Sequence, residues 1–312
     1  MVFGVLSSND KNFNNNNRVI QSWYLIAKSK DIKPLTAKTF NILKRKITIY
    51  RNTKGIIHAL DSRCPHLGAD LGLGKVIDCR LQCPFHHWTI NEKGNCFSKN
   101  NKDTKLKSRI YPTQEKYGYI WIFNGPKPLF EIPEPPKNRN LSILKSPSQE
   151  IKCHPHIVTA NAIDAPHFAS LHKLRFTSKP TSKTERPFKV ITEMNGYLGS
   201  KLFQKLIGVN KENPIKVISS TIGGNMAWLD ITKPYKFNVL FTTKQSNKNT
   251  CITNVFFFLP KNLNYIRALL AVHNLLHDDR KILDTLNFHP GFSKEDKAFK
   301  ELYDIVNKME CW

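Results

Sequence analysis

The sequence lacks any apolar run long enough to cross a membrane as a helix. Such a helix needs about 20 consecutive apolar residues, whereas a strongly apolar stretch such as VFFFL covers only Val255–Leu259. The first residues, MVFGVL, are soon followed by the polar run NNNN at 14–17, which is not the pattern of a secretory signal peptide. The sequence therefore predicts a protein without a membrane span, and we expect it in the cytoplasm.

Acidic residues are scarce. The chain has 24 Asp and Glu against 48 Lys and Arg, which gives a formal net charge of +24. An excess of this size would suit nucleic acid or an anionic membrane surface. The basic residues are mostly lysine and are spread over the whole chain, which indicates a compositional bias. We therefore predict no nucleic-acid partner; a zinc-containing nucleic-acid binder is the alternative that the charge suggests.

The chain also lacks a regular cysteine framework. It has 7 cysteines, and those outside the motif described next show no pairing pattern, which argues for a reducing compartment. These remaining cysteines are Cys79, Cys96, Cys153, Cys251 and Cys311.

Two short pairs of metal-ligand residues stand out against this background. Cys64 and His66 form the first pair, and Cys83 and His86 form the second, with sixteen residues between His66 and Cys83. Two thiolates and two imidazoles suit a tetrahedral zinc or a 2Fe-2S cluster in which the thiolates hold one iron and the imidazoles the other. Zinc modules usually group like ligands together, and here each pair is mixed, which favours the cluster while leaving zinc open.

The sequence around these pairs resembles a known family. CPH followed by CPFHHW is similar to the Rieske signature, in which both cysteines and both histidines hold a 2Fe-2S cluster. Respiratory-chain Rieske proteins tie their two loops with a disulfide, but Ala69 and Phe85 occupy the corresponding positions here. The resemblance is therefore to the oxygenase and ferredoxin type. This type usually has glycine after the second histidine, where this chain has His87; we interpret His86 as the ligand, and a swapped role for His87 stays open.

The chain divides into two domains by composition. We predict a flexible leader over 1–19, a Rieske 2Fe-2S domain over 20–125, a proline-rich linker over 126–140 and a mononuclear iron catalytic domain over 141–312. The predicted fold class is α+β: an N-terminal all-β domain, then a helix-grip domain made of an antiparallel sheet and a long helix.

Short apolar runs between turn residues predict the strands. In the first domain they are Trp23–Ala27, Ile47–Tyr50, Ile56–Leu60 and Tyr119–Phe123. In the second they are Phe188–Thr192, Tyr197–Phe203, Ile215–Ile222, Met226–Ile231, Phe237–Thr243 and Cys251–Leu259. Turns are predicted at Asn195-Gly196 and at 223–225. A long helix is expected over 264–286, and a shorter one from Ser293, which suits an N-cap.

The run NAIDAPHFASLH predicts a second metal site. It contains Asn161, Asp164, His167 and His172. The two histidines lie about 140° apart on a regular helix, so they share one ion only if the helix breaks between them. Alone this cluster is a weak signal, but after a Rieske domain it resembles the iron-binding run of Rieske non-heme iron oxygenases.

A mononuclear Fe(II) that activates oxygen usually takes two histidines and one carboxylate. In the helix AVHNLLHDDRKILDTL, Asp279 falls on the apolar stripe, and a carboxylate there is costly unless it is paired or binds metal. Asp284 lies on another face. We therefore predict Asp279 as the third ligand, with Asp278 as the runner-up and a helix cap or ion pair as the plain alternative.

The resemblance implies a function. In Rieske oxygenases a ferredoxin or an NAD(P)H-dependent reductase supplies electrons to the cluster, which passes them to the mononuclear iron as it activates O2. Asp164 would bridge to His86 of a neighbouring chain in a homotrimer. The small organic substrate is expected to be hydrophobic and to be hydroxylated, demethylated or desaturated, since CPHLGADL and the later GNC are closest to the ketosteroid hydroxylase and cholesterol desaturase branch. A Rieske electron-transfer protein without oxygenase activity is the alternative.

Overall fold

The fold is described from a computed structural model. It describes residues 12–137, 140–185, 187–199, 214–233, 236–247, 249–261, 270 and 276–312. These residues fall into two compact units, one formed by 21–129 with Trp312 and the other by the remaining residues up to 20 and from 130 to Cys311. Among the helices of the described residues, none has the length and hydropathy that crossing a bilayer requires.

The unit of residues 21–129 consists of antiparallel strands. They form a sheet in the order β1-β12-β11, a second in the order β10-β4-β3-β2 and a third in the order β5-β6-β7-β8-β9. The strands are β1 (Trp23–Lys28), β2 (Ala37–Ile42), β3 (Arg45–Arg51), β4 (Ile57–Asp61), β5 (Lys75–Ile77), β6 (Arg80–Gln82), β7 (Thr89–Ile90), β8 (Asn95–Phe97), β9 (Asp103–Lys107), β10 (Ile110–Tyr111), β11 (Thr113–Lys116) and β12 (Tyr119–Phe123). Short 3-10 turns lie at Ser29–Asp31 and Leu71–Leu73.

The other unit is built on a large antiparallel sheet. Its strand order is β13-β21-β20-β19-β18-β17-β15, with β14 paired to β21 and β16 paired to β17. The strands are β13 (Leu141–Lys145), β14 (Gln149–Ile151), β15 (Leu174–Phe176), β16 (Thr181–Glu185), β17 (Lys189–Leu198), β18 (Ile215–Ile222), β19 (Met226–Lys233), β20 (Phe237–Asn247) and β21 (Thr250–Pro260).

The described part of this unit has few helices. The described ones are α1 (Pro155–Ala160), α2 (Ala165–Ser170) and α3 (Lys297–Lys308), with a 3-10 turn at Asn161–Ile163 between the first two. Residues 276–283 are also helical, and we call them the 276–283 helix. Of the predicted long helix over 264–286, residues 264–269 and 271–275 lie outside the described residues. The sheet-rich unit with few helices, after an all-β unit, confirms the predicted α+β class.

Two local predictions differ from the structure. Asn195-Gly196 is not a turn, because β17 runs through it to Leu198. The last helix begins at Lys297 rather than near Ser293; the N–H and hydroxyl of Ser293 instead both bond Asp296 Oδ2 at 2.7 Å, forming a turn before the helix. The flexible leader over 1–19 stays a prediction, since residues 1–11 lie outside the described part; within it, Phe13 is buried in the same core as Leu302.

Candidate metal centres

The first group of candidate ligands lies on two loops of the 21–129 unit. Cys64 and His66 follow β4, and Cys83 and His86 lie between β6 and β7. Both cysteines are almost fully buried, and they belong to one apolar core together with residues such as Leu81. The two pairs therefore lie on loops that belong to two different sheets, and their cysteines meet in one apolar core.

The two loops share one backbone pattern. In the first, the Cys64 N–H donates to Ala69 O at 2.9 Å, and the Gly68 N–H donates to Cys64 O at 2.8 Å. In the second, the Cys83 N–H donates to Trp88 O at 2.8 Å, and the His87 N–H donates to Cys83 O at 3.2 Å. Each cysteine thus begins a loop closed by the residues four and five positions later.

This repetition explains the departure at position 87. Gly68 and His87 hold equivalent places in the two loops, with φ of 80° and 58°. Both values lie in the left-handed region, which glycine adopts without the steric cost that other residues carry. The usual glycine after the second histidine therefore serves the backbone, and the exposed His87 adopts the same conformation at a cost in strain.

The candidate imidazoles are oriented by aromatic contacts. The His66 ring stacks on Trp88 with centroids 3.9 Å apart and an interplanar angle of 6°, and it meets the His86 ring edge-on at 4.8 Å. His66 Nδ1 is buried and has no hydrogen-bond partner among the described residues. A buried ring nitrogen without a partner fits a metal ligand, because an unpaired polar atom is costly to bury.

The thiols are in an apolar setting as well. Burial raises the pKa of the Cys64 thiol to about 11; a backbone N–H lowers this pKa, and the nearby Cys83 thiol raises it further. Thiols in such a place become thiolates when a metal binds them. Two such sulfurs and two oriented imidazoles form a donor set that fits a 2Fe-2S cluster.

The second group begins at α2. Asp164 is its N-cap and accepts a hydrogen bond from the His167 N–H at 3.4 Å. The helix ends at Ser170, and Lys173 has a φ of 57°. His172 therefore lies beyond the helix, and its ring meets that of His167 edge-on with centroids 4.5 Å apart.

Asp279 completes this group from the 276–283 helix. Its Oδ1 lies 2.8 Å from Nε2 of His167 and 2.8 Å from Nε2 of His172. Burial raises the pKa of this carboxyl, but hydrogen bonds from the two imidazoles outweigh burial and leave it below its ordinary value. One ligand atom from each residue lies within 4.8 Å of the others, so the three side chains can hold one metal ion.

The other two carboxylates of the 276–283 region are engaged elsewhere. Asp278 is half exposed and lies 3.6 Å from Lys281 Nζ. Asp284 accepts the Lys152 N–H at 2.6 Å and pairs with Arg280. Among these neighbouring carboxylates, the one on the buried face of the helix is the one that meets the imidazoles.

Asn161 and Asp164 flank the second group. Asn161 Nδ2 lies 3.4 Å from His167 Nε2. Burial raises the pKa of the Asp164 carboxyl, and the His167 imidazole and N–H offset part of that rise. Asp164 also lines a cavity of about 820 Å³, which is bounded by α2, by β16 and by residues 294–299.

Two further residues contact the backbone next to the group of His167, His172 and Asp279, and no sequence motif predicts them. Thr192 and Ser219 donate hydrogen bonds to the carbonyls of Ile163 and Ala162, directly before Asp164. Threonine and serine are ordinary in strands, and their partners lie far away in the chain, so no local motif marks them.

Comparison with known proteins decides what the first unit is. The family model described as "Rieske [2Fe-2S] domain" matches residues 22–112. The chain carries a Rieske domain. Its match covers both ligand pairs, and a 2Fe-2S cluster is therefore the cofactor of this domain.

Two relatives are similar to part of the chain. Cholesterol 7-desaturase of Bombyx mori is 30% identical over 158 residues, which are 48% of this chain and 35% of that protein. Aminopyrrolnitrin oxygenase PrnD of Pseudomonas fluorescens is 32% identical over 129 residues, which are 38% of this chain and 35% of that protein. The matched part of the chain thus spans less than half the length of these relatives.

The likeness in fold extends further along the chain. A structure of dicamba monooxygenase bound to dicamba has a TM-score of 0.67 at 16% identity and covers 92% of this chain and 96% of that chain. NdmA of Pseudomonas putida CBB5 with caffeine has a TM-score of 0.66 at 16% identity, with 89% and 88% covered. The sheet-rich unit after the Rieske domain therefore has the fold of the second domain of such enzymes.

Proposed function

We propose that this protein is a Rieske non-heme iron oxygenase component. It would use electrons from a reductase, together with O2, to hydroxylate, demethylate or desaturate a hydrophobic organic substrate. The observation that carries the proposal is that one chain combines a Rieske domain with a largely buried group of two imidazoles and one carboxylate, His167, His172 and Asp279. A protein that only transfers electrons has no need of the second group.

Within the Rieske domain we assign Cys64 and Cys83 to one iron of the cluster and His66 and His86 to the other. The buried Nδ1 of His66, without a partner among the described residues, supports the assignment. A 2Fe-2S cluster supplies one-electron transfer when bound. The protein's part is to hold the imidazoles, through the stacking of His66 on Trp88, and to surround the sulfurs with apolar side chains.

We assign His167, His172 and Asp279 to a mononuclear Fe(II). An iron held by two histidines and one carboxylate keeps coordination positions open for O2. The protein's part is to exclude water, since the side chains of His172 and Asp279 are only 4% and 14% exposed, and to orient the imidazoles. The Phe168 ring contacts both histidine rings, with centroids 5.1 and 5.5 Å apart.

We assign Asp164 to the electron path between the two centres, with Asn161 beside it. Its carboxylate lies at the N-terminus of α2, against His167, and it also reaches the 820 Å³ cavity. That position suits a bridge to His86 of a neighbouring chain, so we propose a homotrimer. A ferredoxin or an NAD(P)H-dependent reductase would supply the electrons, and the basic charge of +24 would favour docking of an acidic donor.

An apolar sheet face supports a hydrophobic substrate. Leu229 and Ile231 of β19 pack against two apolar clusters: one includes Leu276 of the helix that carries Asp279, and Phe168 of α2 packs against the other. Both elements that bear the proposed iron ligands therefore adjoin apolar clusters that share these two side chains. Relatives named for cholesterol and for a 4β-methylsterol make sterols the first compounds to test.

We also propose that the protein works in the cytoplasm. All seven cysteines lie in the described residues, and none of them forms a disulfide there. A reducing compartment keeps thiols in this state.

Metal analysis tests the proposal. Protein purified without oxygen should contain about three irons and two acid-labile sulfides per chain, as one cluster and one mononuclear iron require. Asp279→Ala should lose about one iron and keep both sulfides. Two irons in the wild type, unchanged after Fe(II) is added, would leave an electron-transfer protein, and a colourless zinc protein would remove the Rieske assignment.

A further inference from the structure

The turn between α1 and α2 leaves two backbone carbonyls without their usual helical partners. In a continuous helix, Ala162 O would accept from the N–H of residue 166, but that residue is Pro166, which has none. Ile163 O would accept from the His167 N–H, which instead donates to the Asp164 carboxylate. Buried carbonyls need donors, so other residues must supply them.

Two hydroxyl groups of the sheet supply these donors. Ser219 Oγ donates to Ala162 O, and Thr192 Oγ1 donates to Ile163 O at 3.1 Å. Thr192 and Ser219 are direct partners across β17 and β18, so their side chains point to the same face. They are 2% and 0% exposed, which protects both hydrogen bonds from water.

The turn that they hold carries two side chains that reach His167. At its start, Asn161 Nδ2 lies 3.4 Å from His167 Nε2. At its end, Asp164 Oδ1 lies 3.4 Å from the His167 backbone nitrogen. A shift of the turn would therefore move Asn161, which contacts the imidazole, and Asp164, which caps the helix that carries it.

We propose that Thr192 and Ser219 are positioning residues for the mononuclear metal site, acting through the two carbonyls before Asp164. The inference rests on the proposed function, because it assumes that His167, His172 and Asp279 hold a metal. Removing a hydrogen-bond partner of a metal ligand typically costs about 10–100-fold in metal affinity; these hydroxyls act one step further from the ligand, so we expect the lower end of that range. Loss of either hydroxyl should weaken metal binding without emptying the cluster site, whose ligands lie in the other unit.

The chain offers a matched control. Thr221 lies two residues after Ser219 on β18, is 0% exposed, and its hydroxyl has no hydrogen-bond partner among the described residues. Thr221→Val therefore removes a buried hydroxyl that forms no hydrogen bond with the turn between α1 and α2. Thr192→Ser keeps the donor of Thr192 while removing a methyl group.

The test is a Co²⁺ titration of full-length protein that carries its cluster and has lost its mononuclear iron to a chelator. Thr192→Val and Ser219→Ala should each weaken Co²⁺ binding about tenfold. The double variant should lose less than the product of the two effects, because both hydroxyls hold one turn. Thr192→Ser should bind nearly as the wild type, and Thr221→Val should bind as the wild type. Unfolding curves and the cluster absorbance of each variant establish that the protein is folded and loaded.

The outcomes separate the two proposals. A wild type that binds no Co²⁺ contradicts the proposed metal site itself. A wild type that binds Co²⁺, with Thr192→Val and Ser219→Ala binding equally well, overturns the positioning inference alone. Weaker binding in Thr221→Val as well would also overturn it, since the cause would then be any loss of a buried hydroxyl.

Discussion

At the scale of single residues, the cluster loops show how a backbone requirement appears as a sequence motif. The first loop satisfies its left-handed position with Gly68 and the second with His87. A residue with a Cβ costs roughly 1–2 kcal/mol there, while glycine costs about 0.5–1 kcal/mol in chain entropy. The balance favours glycine by a small margin.

His87→Gly should therefore stabilise the protein. We expect a gain of about 0.5–1 kcal/mol in the free energy of unfolding, measured by urea denaturation of the cluster-loaded protein. Gly68→Ala is the counterpart: nothing lies within 4 Å of its added Cβ, so only the backbone strain should appear, as a loss of about 1 kcal/mol. A less stable His87→Gly, or one that loses its cluster, would mean that the His87 side chain itself contributes to the site.

The candidate ligands could be found from the sequence because few residue types bind metals. Cysteine and histidine pairs at short spacing are uncommon. Asp279 could be identified because a carboxylate on the apolar stripe of a helix is costly to bury unless it is paired or binds a metal. The structure brings His167, His172 and Asp279 together. Thr192 and Ser219 could not be found in this way, because their role depends on strand pairing and on where α2 begins.

At the scale of elements, the strands of the sheet were predictable where apolar runs end at clear turns. The turn at 223–225 is confirmed, with Gly223 and Gly224 at positive φ. The prediction of a turn at Asn195-Gly196 was wrong, because the role of this glycine depends on a strand that is distant in sequence. Gly196 lies within β17, where a Cβ would come within 2.5 Å of Arg175 O on β15. This glycine allows two strands to approach closely.

Gly196→Ala should separate β15 from β17. We expect a loss of about 1–3 kcal/mol in the free energy of unfolding, the usual range for overpacking. Because β15 begins two residues after His172, Co²⁺ affinity at the mononuclear site should fall as well. Asn195→Ala is the neighbouring control and should change stability by less than about 0.5 kcal/mol. If Gly196→Ala had the same free energy of unfolding and the same Co²⁺ affinity as the wild type, β15 would be able to move away from β17 without loss of stability.

Another element-scale prediction concerns Arg51 of β3. Its guanidinium forms two bonds with the Glu115 carboxylate, at 2.7 and 3.0 Å, and two more with the carbonyls of Ile32 and Gly55. The hydrogen bonds from Arg51, only partly offset by burial, hold the pKa of Glu115 below its ordinary value. Because this pKa is lower in the folded state, ionised Glu115 stabilises the folded protein at pH values above its unfolded-state pKa of about 4.3. This contribution is lost as the pH falls through the lowered pKa.

Glu115→Gln should therefore destabilise the protein at neutral pH and not in acid. We expect a loss of about 1 kcal/mol at pH 7, because Glu115 is partly exposed and solvent screens the pair. The difference from the wild type should shrink as the pH falls below about 4. Urea denaturation at pH 7 and in acid measures it. If Glu115→Gln were less stable than the wild type by the same amount at pH 7 and in acid, the charge of Glu115 would not be the cause.

At the scale of the whole molecule, the two proposed metal centres belong to units with separate apolar cores. Cys64 and Cys83 pack with Leu71, Leu81 and Ile90 in one core, while Phe168 beside the second site packs with Met194 and Val217 in another. Each site therefore adjoins its own apolar core. Removing one metal should therefore leave the other in place.

Crossed ligand variants test this independence. His66→Ala should lose the cluster absorbance and both sulfides but keep Co²⁺ affinity at the mononuclear site within about twofold, since distant sites usually add independently. Asp279→Ala should keep the cluster spectrum and lose Co²⁺ binding. Cys83→Ala repeats the first test in case His66→Ala keeps a damaged cluster. If losing the cluster also abolished Co²⁺ binding in a protein that stays folded, the two units would form one cooperative structure, and the mononuclear site would then depend on the Rieske domain for its assembly as well as for its electrons.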